Sequence, residues 1–181
     1  VSRGLGDVYK RQVDMETDAV ILAIGHSARD TVEMLYKNGA QIIQKPFSVG
    51  ARIEHPQKLI DKAQYGAFAG HPKLGAADYK LSCHGLHQRG AYTFCMCPGG
   101  TVVAAASEKG GVIVNGMSTL ARDGENANSA LLVGIDPVDF PSEHPLAGMY
   151  YQREIEQNAF ALGGGDYRAP AQLVGDFLAD R

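Results

Sequence analysis

The sequence predicts an α+β protein, with one strand–turn–helix unit of the doubly wound kind and then a mostly antiparallel β domain with a few helices. Three observations carry that expectation. Asp18–Gly25 (DAVILAIG) is a short, almost wholly apolar run that ends on glycine and leads into a helical stripe. From Lys45 onward, short β-like runs are separated by Gly-rich punctuation, the mark of antiparallel pairing rather than of βαβ repeats. Pro145–Leu162 is the one long helical pattern in that second part.

The elements follow in order. Val1–Gln12 (VSRGLGDVYKRQ) matches nothing that comes after it and reads as a non-native linker, outside the fold. Its Gly4-Leu5-Gly6 is no dinucleotide fingerprint, because Tyr9 stands where the third glycine is due and no strand precedes it. Residues 13–44 form the partial α/β unit: an apolar strand suited to burial on both faces, then a helix with Ala28, Val32, Leu35 and Tyr36 on one stripe, closed by Asn38-Gly39. Its partner strands are not visible upstream, so the chain is expected to be a piece of a larger sheet. Residues 45–181 form the β domain. Pro46–His55 reads as a strand, and Pro56 opens a short helix with Leu59, Ile60 and Ala63. Tyr79–Cys83, Ala91–Met96, Thr101–Ala106, Val112–Val114 and Ser129–Ile135 read as further strands. The stripe Ala147, Tyr151, Ile155, Ala159 and Leu162 defines the later helix, which Gly163-Gly164-Gly165 stops.

Composition narrows the function classes. With hydrophobic residues at 45% and charged residues at 20%, disorder, collagen and a coiled coil are excluded. Seventeen Lys+Arg against 20 Asp+Glu, a net charge of −3, leave no basic field for a phosphate backbone, so no nucleic-acid partner is expected. No apolar run approaches the ~20 residues that span a bilayer, so no membrane partner is expected. Three cysteines are too few for a disulfide scaffold and suit reduced thiols, hence a cytoplasmic protein.

Three constellations can carry chemistry. Gly25, His26 and Ser27 lie where a strand hands over to a helix N-terminus, the place where open α/β sheets bind ligands; an ordinary βα turn is the competing reading. In Cys95-Met96-Cys97-Pro98-Gly99-Gly100, residues i and i+2 of a strand look to one side, so both thiols can face one pocket, and the glycines let backbone pass close to a flat ligand. Two inert buried cysteines compete with that reading. A metal- or ligand-binding β domain is the alternative from another class, with Cys83, His84, His87, Cys95 and Cys97 of the right chemical type but in C-x-C spacing unlike a zinc ribbon; no metal site is expected. Asn115-Gly116-Met117-Ser118 and Arg122–Asn128 (RDGENAN) have the density of an anion or substrate loop, with Arg122 its strong anion donor, or of a long hairpin turn.

DAVILAIGHSARDT (Asp18–Thr31) followed by KPFSVGARIEHP (Lys45–Pro56) resembles the uncharacterised FAD-dependent dehydrogenases, a branch of the two-dinucleotide-fold flavoproteins. The resemblance continues through Gly75–Tyr79, Tyr92–Gly100 (YTFCMCPGG), Asn115–Ser118, Arg122–Ala130 and Tyr167–Leu178, and so covers nearly everything after Gln12. It implies a partial Rossmann-like FAD-binding unit followed by an inserted substrate domain, within a central section of an FAD-dependent oxidoreductase. The family's G-x-G-x-x-G turn, which grips the FAD pyrophosphate, is not in this chain. By resemblance, Gly25, His26 and Ser27 approach FAD, and Cys95, Cys97, Gly99 and Gly100 face the flavin or substrate; the resemblance assigns no catalytic residue, so Cys95 and Cys97 are catalytic candidates by their thiols, Gly99 and Gly100 join the cofactor candidates, and Arg52, Asn115 and Arg122 are the candidates for a small-molecule substrate. Hydride or electron-pair transfer through the flavin is the implied reaction, with NAD(P)H as an electron donor.

Overall fold

The computed structural model describes residues 16–84 and 89–181. The proposed linker 1–12 and His87 lie outside them. Helix α1 spans Arg29–Lys37, strand β1 Phe47–Pro56, helix α2 Gln57–Tyr65, and a 3₁₀ turn Gly66–Phe68. Strands β2 (Ser82–Cys83), β3 (Ala91–Cys97), β4 (Gly100–Ala105), β5 (Ile113–Ser118) and β6 (Asn126–Ile135) follow. A 3₁₀ turn at Pro137–Asp139, helix α3 (Ala147–Leu162) and a short helix α4 (Val174–Leu178) complete the order. The strands form a four-stranded sheet in the order β1-β6-β3-β2 and a two-stranded sheet, β4-β5, in which every pair is antiparallel. The antiparallel expectation is met strand by strand. The predicted Tyr79–Cys83 strand contracts to Ser82–Cys83, and Val112–Val114 extends through Ser118, which takes Asn115–Ser118 out of a loop and into β5.

The amino-terminal unit departs from expectation. Residues 17–25 carry no strand, and Val20 and Ile21 are 78% and 92% exposed. A strand exists only where a neighbour takes its N–H and C=O groups, and no neighbour stands beside this run among the described residues. The doubly wound unit is therefore not assembled here. Helix α1 forms as predicted, with Asn38 at its C-cap and Gly39 beyond it at φ +88°.

Ion pairs tie α1 to the rest of the fold, beside the edge-on contact of Tyr36 with His144. Arg29 is 1% exposed and donates from Nη1 and Nη2 to both carboxylate oxygens of Glu156, at 2.9 and 2.7 Å, and from Nη1 to Glu108 at 2.6 Å. Arg153 of α3 bridges Glu108 and Glu33, tying α1, α3 and the β4–β5 connection together. The predicted α3 stripe is only half right. Ala147 and Tyr151 pack with Phe47, Val49, Ile135 and Phe140, but Ile155 and Leu162 are exposed while Glu156 is buried, because Glu156 has to reach Arg29. The α2 stripe is likewise displaced: Leu59 is exposed and Gln57 is buried. No helix among the described residues is long and apolar enough to cross a membrane.

Two outcomes follow for stability. Glu156→Ala leaves the Arg29 guanidinium buried without its bidentate partner and should cost about 3–5 kcal/mol in urea unfolding, whereas Ile155→Ala beside it should cost about 1 kcal/mol or less. Arg153, and after it Arg29, hold the Glu108 carboxyl at about 2 instead of 4.5, against burial, which pushes it up. A lowered carboxyl stabilises the fold above its unfolded value and loses that contribution as pH falls toward 2. Stability measured between pH 4.5 and 2 should therefore fall less steeply in Glu108→Gln than in the parent, with the similarly lowered Asp139 still contributing to both slopes.

Candidate functional site

The chemistry-bearing residues gather at the two ends of β4. At the first end, β3 pairs regularly with β6 from Ala91↔Val133 to Phe94↔Ala130 and then resumes at Cys97↔Asn128. Three steps on β3 against two on β6 leave one extra residue, a β-bulge. Cys95 sits in it at φ +51°. The bulge breaks the alternation that would have turned both thiols to one side. Cys95 is exposed, while Cys97 is half-buried and its Sγ donates to the Cys95 carbonyl at 3.4 Å. Burial pushes the Cys97 thiol up, and Arg52 opposes that shift.

Arg52 spans this end of the site from β1. Its Nε donates to Asn128 Oδ1 at 2.8 Å, and its Nη2 to the Cys95 carbonyl at 2.5 Å, with Cys97 Sγ at 3.6 Å. Gly116 of β5 closes over the pair, since a Cβ there would stand 2.3 Å from both Arg52 Nη2 and Asn128 Oδ1. Asn128 is fully buried, and its Nδ2 has no hydrogen-bond partner among the described residues. An orphaned buried donor of this kind costs about 1–3 kcal/mol unless an acceptor reaches it.

The turn after β3 is built on its own chain. Gly99 and Gly100 are buried. A Cβ on Gly99 would lie 2.1 Å from the Arg122 carbonyl oxygen, and one on Gly100 2.5 Å from that of Met117. These glycines admit the chain's own backbone. Gln57, the buried first residue of α2, fastens the turn: its Oε1 accepts from Gly99 N at 2.9 Å and its Nε2 donates to Ala77 O at 2.9 Å and Asp61 Oδ1 at 2.8 Å. Arg122 is exposed at φ +53°, and Asn115 is exposed, its Oδ1 accepting from Gly116 N at 2.9 Å.

At the other end of β4, about 20 Å away by strand rise, stands the turn Gly25-His26-Ser27. Ser107, just past β4, approaches both of its polar side chains, with Oγ 3.3 Å from Ser27 Oγ and 3.4 Å from His26 Nε2. Gly25 adopts φ +71°, and nothing lies within 4 Å of where its Cβ would be. Of the predicted residues, the fold thus groups Arg52, Cys95 and Cys97, sets Gly99 against Arg122, and keeps Gly25, His26 and Ser27 apart from them. Sequence reading missed Gln57, Ser107 and the His55 Nε2–Tyr79 Oη pair at 2.8 Å, where burial raises the phenol. The Gln57–Gly99, Ser107–His26 and His55–Tyr79 contacts join residues 24 to 81 apart, so no local pattern marked them.

Among the described residues, no group of three or more His, Cys, Asp or Glu is placed to hold a metal ion. Cys83, Cys95 and Cys97 form none, and His87 lies outside those residues. Two surface cavities lie elsewhere, one of about 400 Å³ between α2 and the segment after it and one of about 320 Å³ beside Phe47 and Arg89.

The chain is a member of the family described as FAD-dependent protein, C-terminal domain-like, whose profile matches residues 46–181. It is also 58% identical over 165 residues to an uncharacterized protein of Clostridium beijerinckii, an alignment that takes in 91% of this chain and 31% of that protein. The chain thus spans less than a third of that relative's length.

The two kinds of glycine should separate on substitution. Gly99→Ala, with positive φ and a carbonyl in the way, should cost about 3 kcal/mol or more. Gly25→Ala, with positive φ but open space, should cost about 1 kcal/mol in the same unfolding assay. Alkylation followed by peptide mass analysis should modify exposed Cys95 ahead of Cys97, whose thiol is half-buried and shifted upward.

Proposed function

We propose that the protein containing this chain is an FAD-dependent oxidoreductase of the dehydrogenase type, cytoplasmic, acting on a small-molecule substrate with NAD(P)H as an electron donor. In this reading Asp18–Gly25 is one strand of a nucleotide-binding sheet completed by the rest of the longer protein, and the β domain forms the substrate side. The family match supports the flavin. One observation carries the placement: an apolar run exposed along Val20, Ile21, Leu22 and Ile24 ends at a left-handed glycine with open space over it, directly before α1. Such a run suits burial on both faces of a parallel sheet.

Bound FAD supplies a carrier for a hydride or an electron pair. The chain's own residues supply position and charge. Gly25 leaves its backbone open to close approach, and His26, Ser27 and Ser107 offer hydrogen bonds beside it. The fit is poorer at Gly99 and Gly100, whose Cβ space is filled by the chain itself, so their part is to shape the turn. Arg52 holds the bulge and keeps a positive charge beside Cys97, and the unpaired Asn128 Nδ2 is the donor available there. Arg122, whose carbonyl lies against Gly99, and Asn115 of β5 both present polar groups to solvent. Cys95 and Cys97 are the residues we place against flavin or substrate.

The full-length protein should purify yellow with a flavin absorption band, and a full-length protein that stays colourless after incubation with FAD overturns the reading. Gly25→Val, which fills the open approach, should lower the flavin content of that protein several-fold. FAD should protect Cys95 and Cys97 from alkylation there; equal labelling with and without FAD removes both thiols from the site.

A further inference from the structure

We infer that the cavity between α2 and the segment after it is a binding site for a small planar aromatic carboxylate. Gly66, at φ +55°, ends α2 and turns the chain back through Gly66–Phe68. The returning segment is held by a ladder of short-range bonds: Ala69 N to Gly66 O at 3.2 Å, His71 N to Phe68 O at 3.0 Å and Leu74 N to His71 O at 2.9 Å. Tyr65 Oη donates across the opening to Leu74 O at 3.5 Å. The result is a cup of about 400 Å³ lined by Gln64, Tyr65, Phe68, His71, Lys73 and Leu74. That volume is in the range of small-ligand sites.

The lining specifies the ligand. Phe68 and Leu74 are 68% and 43% exposed, so apolar surface is left open to water inside a concave wall, with the Tyr65 ring beside it. A flat apolar body covers such rings at little entropic cost. Of the polar side chains, Gln64 Nε2 is already committed to the Asp78 carbonyl at 3.3 Å and Tyr65 Oη to that of Leu74. No carboxylate lines the cup, and Lys73 forms no ion pair among the described residues. The Lys73 backbone N–H donates to His71 Nδ1 at 3.2 Å, which makes that nitrogen an acceptor and puts the neutral ring's proton on Nε2. His71 Nε2–H and the Lys73 ammonium are then two donors available in a lining that also includes the apolar Phe68 and Leu74. A carboxylate meets both donors, and an aromatic ring behind it covers Phe68 and Leu74. The inference is independent of the flavin reading, because none of the cup's residues belongs to either end of β4.

Benzoate is the probe, titrated into the full-length protein and followed by NMR at the His71 ring, the Tyr65 and Phe68 rings and Lys73. Saturable shifts confined to those residues are expected, with benzamide and acetate each about tenfold weaker or more. Lys73→Gln should weaken benzoate by about tenfold and Phe68→Ala to a similar degree, while Lys73→Arg retains binding. Both positions are at the surface, and unchanged circular dichroism confirms that the variants fold. Shifts that never saturate, equal binding of benzoate and benzamide, or full binding by folded Lys73→Gln overturns the inference.

Discussion

A buried ion or amide costs several kcal/mol unless its donors and acceptors are met, and this fold meets most of them, with Arg29 Nε and Asn128 Nδ2 left without a partner among the described residues. Among the described residues, the largest fully buried side chains are Arg29, Asn128 and Ser129, while the buried apolar set is mostly small: Ala77, Val112, Ala127, Ile135, Phe140, Leu146 and Ala147. Directional bonds place the elements. Arg29 reaches two acidic residues from different elements, and Gln57 joins α2, the turn at Gly99 and the segment at Ala77. Each is a single side chain whose loss would strand a partner that is itself buried or part-buried.

The same economy shapes the candidate site. The bulge in β3 puts Cys95 into a left-handed conformation that a non-glycine residue adopts at some cost, and Arg52 takes up the carbonyl that this conformation turns away from the ladder. Arg52 is thereby committed to Asn128 and to the backbone before any ligand arrives. Gly116 is the complement on the facing strand, where a side chain would displace the guanidinium. The β4–β5 hairpin touches both candidate regions, with Ser107 beyond one end and the buried turn of Gly99 and Gly100 at the other. The hairpin thus spans the distance between the two regions.

Local pattern made most of the framework legible. Alternation and glycine punctuation located β1, β3, β4 and β6, and the Gly163-Gly164-Gly165 run marked the end of α3, because these signals act over a few neighbouring residues. Apolar stripes misled wherever a polar residue won the buried face, as Glu156 did over Ile155 and Gln57 over Leu59. The unpaired apolar run at Val20–Ile24 misled differently, since its composition suits a strand but supplies no partner for one.

By itself, then, the sequence determined the antiparallel character of residues 45–181, the positions of α1, α2 and α3 and the residue types available for chemistry, but not α4. Only the tertiary structure decided which of them meet. The bulge that parts Cys95 from Cys97, the reach of Arg52 to Asn128 across 76 residues and the approach of Ser107 to Ser27 across 80 are set by strand register and buried-charge pairing. Those are interactions between distant segments, and no window of neighbouring residues contains both partners.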